Sequence, residues 1–288
     1  MNVITDERCL AYHSPGHPER PARVKDTLAK LRAQDELEIE WHAPRLPSNE
    51  ILERGHSAGH LEALKGPPSD FDGDTPAYPD IDAHARRAVG GALAAMDMAL
   101  AGKTAFSLLR PPGHHATQDR AMGFCYLSSV ALTALHGARA LGKRVAVFDF
   151  DVHHGNGSEA LLMNQDSVAF FSVHQHPCYP GTGVKDVGTN CFNFPVPPRT
   201  PREEYRQVLG RALAALVKWG PDLIAVSAGF DAYVHDPIAQ ETLLAEDFRD
   251  LGARIRRQGI PFYSVLEGGY SDDLPDLVMA YLLGIAPE

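Results

Sequence analysis

Four ionisable side chains follow one apolar run near the middle of the sequence. Residues 144–157 read RVAVFDFDVHHGNG, and this segment contains Asp149, Asp151, His153 and His154. Side chains of an extended segment alternate between its two faces, so Asp149, Asp151 and His153 share one face. A carboxylate and an imidazole at this spacing can hold one divalent transition metal such as zinc. A polar loop after a core strand is the alternative, and this pair alone does not decide between the two.

A second apolar run supplies a third candidate ligand. The segment AVSAGFDAYVHDP has Asp231 directly after its apolar part, where the carboxylate could ligate a metal or cap a helix. Asp151, His153 and Asp231 together would leave the open coordination position of a catalytic zinc site. In the same segment, Asp236 could cap a helix or a turn, and His235 is interpreted as an exposed loop histidine.

Two further segments offer groups for acid–base catalysis. LLRPPGHHA places His114 and His115 after a Pro-Pro-Gly turn, and adjacent histidines at the end of a buried strand suit general acid–base work. Two surface histidines in a loop are the alternative. VLEGGY places Tyr270 after two glycines, which could permit close backbone approach or only make a turn. A tyrosine hydroxyl at that position could polarise a carbonyl group.

The apolar runs alternate with amphipathic stretches along the whole chain. We predict strands at 2–5, 37–42, 105–109, 144–150, 168–174, 191–196, 223–229 and 261–269. Alternation of strands and helices favours an α/β fold with a mainly parallel sheet, in which ligands bind outside the carboxyl ends of the strands. Without repeats or a long linker, the pattern indicates one domain over residues 1–288.

Composition excludes several classes of protein. The net charge is -10 and the sequence has no Lys/Arg cluster, so we expect no nucleic-acid partner. No run of about 18 apolar residues is present, so we expect no membrane span. The first residues lack the features of a signal peptide, and four scattered cysteines without a CxxC pair indicate reduced thiols of a cytoplasmic protein. The negative charge would suit a cationic ligand, but many cytoplasmic proteins are acidic for solubility alone.

The order of the motifs resembles the histone deacetylase-like amidohydrolase family, in particular its bacterial class II-like members and acetylpolyamine amidohydrolases. The motifs are HPERPARV (17–24), RPPGHHA, GFCY, FDFDVHHGNG, HPCYPGTG, SAGFDA, DP and LEGGY, which cover nearly the whole chain. The resemblance implies the arginase/deacetylase fold, a mainly parallel sheet of about eight strands flanked by helices. It also implies a zinc-dependent deacylase that acts on an N-acylated amine and releases acetate or another carboxylate.

The resemblance also implies roles for individual residues. Asp151, His153 and Asp231 match zinc ligands. His115 matches a general base that later acts as an acid, and His114 matches its electrostatic companion. Tyr270 matches the carbonyl-polarising tyrosine, and Asp149 and Asn156 match the polar partners of the two histidines. Phe124 and Tyr179 match the aromatic walls of the acyl-lysine channel, and Asp74 matches the rim aspartate that holds the substrate backbone. The further substrate contacts are Gly123 and Gly268. A structural potassium ion is implied near Asp149, Asp151, His153 and Ser172.

Some details follow from the chemistry of these positions. Asn156 is neutral, so we expect His115 to keep a pKa close to that of an ordinary imidazole. Many bacterial relatives have His where this chain has Tyr233, which bears on the shape of the loop and on the choice of substrate. The usual Asn-Asn after GFC is replaced by Ser128-Ser129, on a predicted helix.

Several alternatives remain open at the level of the sequence. The substrate is an acyl-lysine, an acetylated polyamine or another small acylated amine, and an acetylpolyamine-specific amidohydrolase is the main alternative function. A binuclear manganese ureohydrolase would need a second set of metal ligands, which the strand pattern does not supply. A non-enzymatic binding protein would not need the complete acid–base set. The oligomeric state, monomer or homo-oligomer, is open.

Overall fold

Eight strands form one sheet in the computed structural model, which describes residues 1–287. In chain order they are β1 (Asn2–Ile4), β2 (Glu40–His42), β3 (Ala105–Ser107), β4 (Val145–Asp149), β5 (Val168–Gln175), β6 (Cys191–Val196), β7 (Leu223–Ala228) and β8 (Phe262–Leu266). All neighbours pair in parallel, in the order β2-β1-β3-β8-β7-β4-β5-β6. The structure therefore confirms the prediction of a parallel sheet.

The second strand is shorter than the sequence predicted. Only Glu40–His42 of the predicted 37–42 pairs with β1, and β2 lies at the edge of the sheet. β1 is itself three residues long, so it offers pairing partners for three residues of its neighbour and no more.

Nine α-helices flank the sheet within residues 1–287, together with a 3₁₀ helix at Glu7–Leu10. They are α1 (Ala22–Ala33), α2 (Asn49–Leu52), α3 (Ala58–Ala63), α4 (Ile81–Leu100), α5 (Ser129–Leu141), α6 (Asn156–Leu162), α7 (Arg202–Trp219), α8 (Ala245–Arg256) and α9 (Leu274–Ile285). Among these helices, none combines the length and the apolar composition needed to span a membrane.

The core lies on both faces of the sheet. One hydrophobic cluster joins Phe148 of β4 and Val226 of β7 to buried residues of α1, α7, α8 and α9. The other joins Val147 and Ala225 of the same strands to residues of α4 and α5. Because successive side chains of one strand enter different clusters, the central strands are apolar on both faces, as expected of a covered parallel sheet.

The strand order brings the chemically interesting segments together. β8, β7 and β4 are consecutive neighbours in the sheet, and β3 lies next to β8. Parallel strands end at the same edge, so the segments that follow these four strands emerge side by side. Asp149, the last residue of β4, is in register with Ser227 of β7 and Ser172 of β5.

Candidate metal centre and active site

The imidazole of His153 lies between two buried carboxylates. Its Nδ1 is 3.2 Å from Asp151 Oδ1 and 3.0 Å from Asp231 Oδ2. One potential ligand atom from each of the three residues lies within 4.8 Å of the others, and all three side chains are buried. Asp151 and His153 follow β4, whereas Asp231 follows the adjacent strand β7.

This donor set fits a divalent cation such as zinc. Two carboxylate oxygens and one imidazole nitrogen are ligands that zinc accepts, and three protein ligands leave a position open. Burial, together with the charge of Asp151, raises the pKa of Asp231 to about 7. Two carboxylates buried this close repel one another unless a cation or a proton offsets their charge, so the site favours a bound cation.

Backbone N–H groups orient the two carboxylates. Val152 donates to Asp231 Oδ1 at 2.8 Å, Gly268 donates to Asp151 Oδ2 at 2.7 Å and His153 donates to Asp151 Oδ1 at 2.9 Å. A Cβ at Gly268 would overlap both carboxylates, so this backbone can approach them only because residue 268 is glycine. Gly268 therefore lies against the carboxylates, and it is not among the residues that line the channel described below.

The two adjacent histidines have different partners. His114 Nδ1 is 3.1 Å from Asp149 Oδ2, and His115 Nδ1 is 2.8 Å from Asn156 Oδ1. The two rings are buried with centroids 4.0 Å apart, and the ring of His115 is 6.1 Å from that of His153. One histidine thus faces a carboxylate and the other faces a neutral amide.

These partners set opposite charge states. Burial lowers the pKa of His114, but the carboxylates of Asp151 and Asp149 outweigh it and raise the pKa to about 10. For His115, burial lowers the pKa well below its ordinary value, and positive charge at His114 adds to the effect. The expectation of an ordinary pKa for His115 was therefore wrong, because one hydrogen bond to Asn156 does not replace lost hydration. At neutral pH, His114 is a cation and His115 is neutral.

A buried glutamate holds the turn that carries the histidines. Glu267 Oε2 accepts the N–H groups of Gly113 at 2.6 Å and His114 at 3.1 Å. Burial raises the pKa of Glu267 to about 7, even though the His114 cation and the Gly113 N–H act in the opposite direction. Glu267 was not singled out from the sequence, although the LEGGY motif contains it.

An arginine from the first helix holds the segment after β8. Arg23 Nε donates to Gly269 O at 2.7 Å, and the guanidinium also donates to Glu267 O. Its carbon Cζ lies 4.7 Å from the centroid of the Tyr270 ring, a cation–π arrangement. Arg23 was not singled out from the sequence, although its position in the HPERPARV motif could have indicated it.

A channel of about 310 Å³ leads from the surface to these groups. Its lining includes His115, His153 and Tyr270 at the inner end. The sequence-predicted substrate contacts among the lining residues are Asp74, Gly123, Phe124 and Tyr179, and the sequence analysis did not identify Cys178 and Ile238. A wider groove of about 790 Å³ adjoins the channel and shares Ile238 and Tyr270 with it.

Aromatic rings and one aspartate shape the outer part of the channel. The ring of Phe124 lies 5.6 Å from that of Tyr270, and the ring of Tyr179 lies 5.0 Å from that of His115. Burial and the neighbouring Asp72 carboxyl raise the pKa of Asp74. The outer channel therefore combines two aromatic faces with a carboxyl group.

His154 and Ser172 lie outside the channel. His154 is buried, with Nδ1 2.7 Å from Thr182 Oγ1 and Nε2 3.2 Å from Glu159 Oε2. Ser172 Oγ is 2.8 Å from His174 Nδ1, next to Asp149 in the sheet. His154 thus ties the turn that contains His153 to the segment that follows Tyr179.

The comparisons with known proteins agree with this geometry. A family model described as the histone deacetylase domain matches residues 17–285. The chain is 38% identical over 305 residues to a protein of Methanothermobacter thermautotrophicus described as a "Probable deacetylase", covering 100% of this chain and 91% of that protein. It is 39% identical over 282 residues to the histone deacetylase-like amidohydrolase of Pseudomonas aeruginosa, covering 89% of this chain and 73% of that protein.

The fold comparison gives the same result. The solved structure of an acetylpolyamine aminohydrolase from Burkholderia pseudomallei matches with a TM-score of 0.89 at 26% identity, covering 99% of this chain and 98% of that chain. The family resemblance and the arginase/deacetylase fold that the motifs implied are therefore confirmed. With a matched family model over most of its length, this chain belongs to the histone deacetylase family of amide-hydrolysing enzymes.

Proposed function

We propose that residues 1–288 form one catalytic domain that hydrolyses the amide bond of an N-acylated amine with the help of one zinc ion. The observation that carries the proposal is the cluster of Asp151, His153 and Asp231, of which His153 lines one channel together with His115 and Tyr270. When bound by the three ligands, zinc supplies a Lewis acid for the amide carbonyl and for the attacking water.

His115 acts as the general base. Its Nδ1–H donates to Asn156 Oδ1, so Nε2 keeps its lone pair for a proton from the attacking water. The lowered pKa of His115 keeps the ring neutral and ready to accept that proton at neutral pH. The same ring then gives the proton to the leaving amine.

His114 and Tyr270 stabilise negative charge. The raised pKa of His114 beside Asp149 keeps a positive charge next to His115 throughout the reaction. Burial raises the pKa of Tyr270 well above its ordinary value, so its hydroxyl stays protonated and donates to the carbonyl oxygen as charge develops there.

The outer channel binds the rest of the substrate. Phe124 and Tyr179 present faces on which a chain of methylene groups packs, and Gly123 leaves room for it. Asp74 offers a carboxyl group for a polar or cationic part of the substrate. The implied contact by Gly268 stays a prediction, as its N–H donates to Asp151.

The channel supports two candidates for the amine that carries the acyl group. The aromatic channel suits the straight side chain of an acyl-lysine, and the adjoining groove has room for flanking residues of a peptide. The carboxyl group of Asp74, which lines the channel, favours an acetylated polyamine, because it could pair with a further ammonium group. The printed names of the relatives include both deacetylases and an acetylpolyamine aminohydrolase.

A binuclear ureohydrolase does not fit. Within residues 1–287, Asp151, His153 and Asp231 are the one group of potential ligands with metal-binding geometry. A potassium ion beside Asp149 and Ser172, a cytoplasmic location and the absence of nucleic-acid partners complete the proposal as predictions.

One assay tests the proposal. Acetyl-lysine peptide, acetylputrescine and acetylspermidine are supplied in parallel to the purified protein, with zinc quantified in the same sample. Hydrolysis of at least one substrate that rises with zinc content supports the proposal. No hydrolysis of any substrate by protein that carries a full complement of zinc contradicts it.

A further inference from the structure

We infer that Asp236 is a positioning residue, whose carboxylate sets the backbone of Tyr270 and so aims its hydroxyl into the channel. The inference rests on the proposed role of Tyr270 in catalysis. It assigns a task to a residue that the sequence interpreted only as a potential cap of a helix or a turn.

The carboxylate of Asp236 joins two segments of the channel wall. Its Oδ2 accepts the N–H of Tyr270 at 2.8 Å, and its Oδ1 accepts the N–H of Ile238 at 3.0 Å. Its own N–H donates to Tyr233 O at 3.0 Å. Asp236 is 7% exposed, so these bonds lie away from competing water. One side chain thus holds the two residues that the channel and the adjoining groove share.

Tyr270 needs such a support because the sheet does not hold it. Strand β8 ends at Leu266, and Gly268 and Gly269 precede the tyrosine. Gly269 has a φ of 112°, a conformation that glycine adopts freely and other residues rarely do. A segment with this freedom places the tyrosine accurately only through contacts outside the strand. Asp236 holds its backbone, and Arg23 packs over its ring.

A second contact joins the same two segments near the surface. Tyr233 Oη donates to Asp273 Oδ2 at 3.0 Å, in an exposed position. An exposed hydrogen bond contributes little because water competes for both partners. Tyr233→Phe is therefore a matched control, since it removes a tie between these segments without touching the backbone of Tyr270.

The test is a double-mutant cycle with Asp236→Asn and Tyr270→Phe. Asparagine keeps the size of Asp236 but replaces one acceptor oxygen with an NH₂ group, which cannot accept from a backbone N–H. We expect Asp236→Asn to lower kcat about tenfold to a hundredfold, with KM within about twofold and zinc content unchanged. In the Tyr270→Phe background, the same change should lower kcat by less than about twofold, because the group that it positions is already gone. Tyr233→Phe should leave kcat within about twofold of the wild type.

A measurement without turnover separates positioning from catalysis. Backbone hydrogen exchange in the peptide that contains Tyr270 should accelerate in Asp236→Asn, while the core strands β4 and β7 keep their protection. Should the asparagine variant not fold, Asp236→Glu carries both acceptor oxygens one methylene further out and is measured in the same way.

The outcomes are distinguishable. Equal losses of kcat from Asp236→Asn in both backgrounds, or unchanged exchange at Tyr270, would overturn the positioning role. Full activity of Tyr270→Phe alone would instead contradict the proposed function, and exchange at Tyr270 would still decide whether Asp236 holds its backbone.

Discussion

The inner end of the channel and its outer rim belong to the same edge of the sheet but are held in different ways. At the inner end, Asp149, Asp151 and Asp231 are 0% exposed, and backbone N–H groups orient the carboxylates of Asp151 and Asp231. At the rim, Tyr179 and Ile238 are each 37% exposed. The central strands therefore fix the buried carboxylates, whereas longer loops form the partly exposed outer wall of the channel.

The inner end also shows how hydrogen-bond partners give two identical, similarly buried side chains different charge states. His114 and His115 are adjacent and similarly buried, yet one faces Asp149 and the other faces Asn156. The raised pKa of the first and the lowered pKa of the second leave one ring charged and the other neutral at neutral pH.

Removing a ligand should have the largest effect on the inner end. Asp231→Ala takes away one of three convergent ligands, so we expect loss of bound zinc and of measurable activity. Elemental analysis of the purified variant checks this. Asp97→Ala, on the surface of α4, is the matched control and should keep both. Full zinc retention in Asp231→Ala would refute the ligand assignment.

Removing the base should come next. We expect His115→Ala to lower kcat about 10²- to 10⁴-fold with zinc retained, as typical for loss of a general base. The exposed His235 provides a control, since His235→Ala should keep wild-type activity. A fully active His115→Ala variant would exclude this histidine as the base.

The environment of His115 also predicts how kcat/KM depends on pH. The pKa of His115 lies well below the ordinary value, so the ring gains its proton only when the pH falls below the ordinary histidine range. We therefore expect kcat/KM to fall only in that lower pH range. Asn156→Asp places a carboxylate beside the ring and should raise that pKa, moving the loss of activity to higher pH. A pH–rate profile that is identical in both proteins would contradict the assigned environment.

Removing the tyrosine hydroxyl should have a somewhat smaller effect. We expect Tyr270→Phe to lower kcat about 10²- to 10³-fold without loss of zinc, the magnitude found when one donor to a developing oxyanion is removed. Tyr179→Phe also removes a hydroxyl from the channel but keeps the aromatic wall, so its kcat should stay within about twofold. Equal losses of kcat in the two variants would contradict the different roles that we assign to the inner end and the rim of the channel.

The smallest effect is expected at the rim. Asp74→Asn should raise KM for acetylspermidine at most about fivefold, because partly exposed charge pairs are weak. Its KM for a neutral acetyl-lysine peptide should change less, and kcat should not change for either substrate. Steady-state kinetics with both substrates checks this, and a large fall in kcat would assign Asp74 to the chemistry.

Much of the inner end could be predicted from local sequence. The two-residue period of a strand placed Asp151 and His153 on one face, and long apolar runs indicated the covered strands. The meeting with Asp231 depends on β7 being the neighbour of β4, and strand order leaves no local pattern.

The supporting contacts could not be predicted for the same reason. Asp236 accepts from a residue 34 positions away, and Glu267 accepts from residues more than 150 positions away. Carboxylates that bind distant backbone groups resemble ordinary polar residues in the sequence. The pKa of His115 was misjudged because its neighbours along the chain do not reveal the depth of its burial.

Zinc reconstitution tests the central claim most directly. The protein is stripped of metal by a chelator, dialysed and titrated with zinc, and hydrolysis of the best substrate is measured at each step. We predict no activity in the stripped protein and a linear rise that ends at one zinc ion per chain, with no such rise in Asp231→Ala. Full activity of the stripped protein, with its metal content confirmed as negligible, would contradict the account.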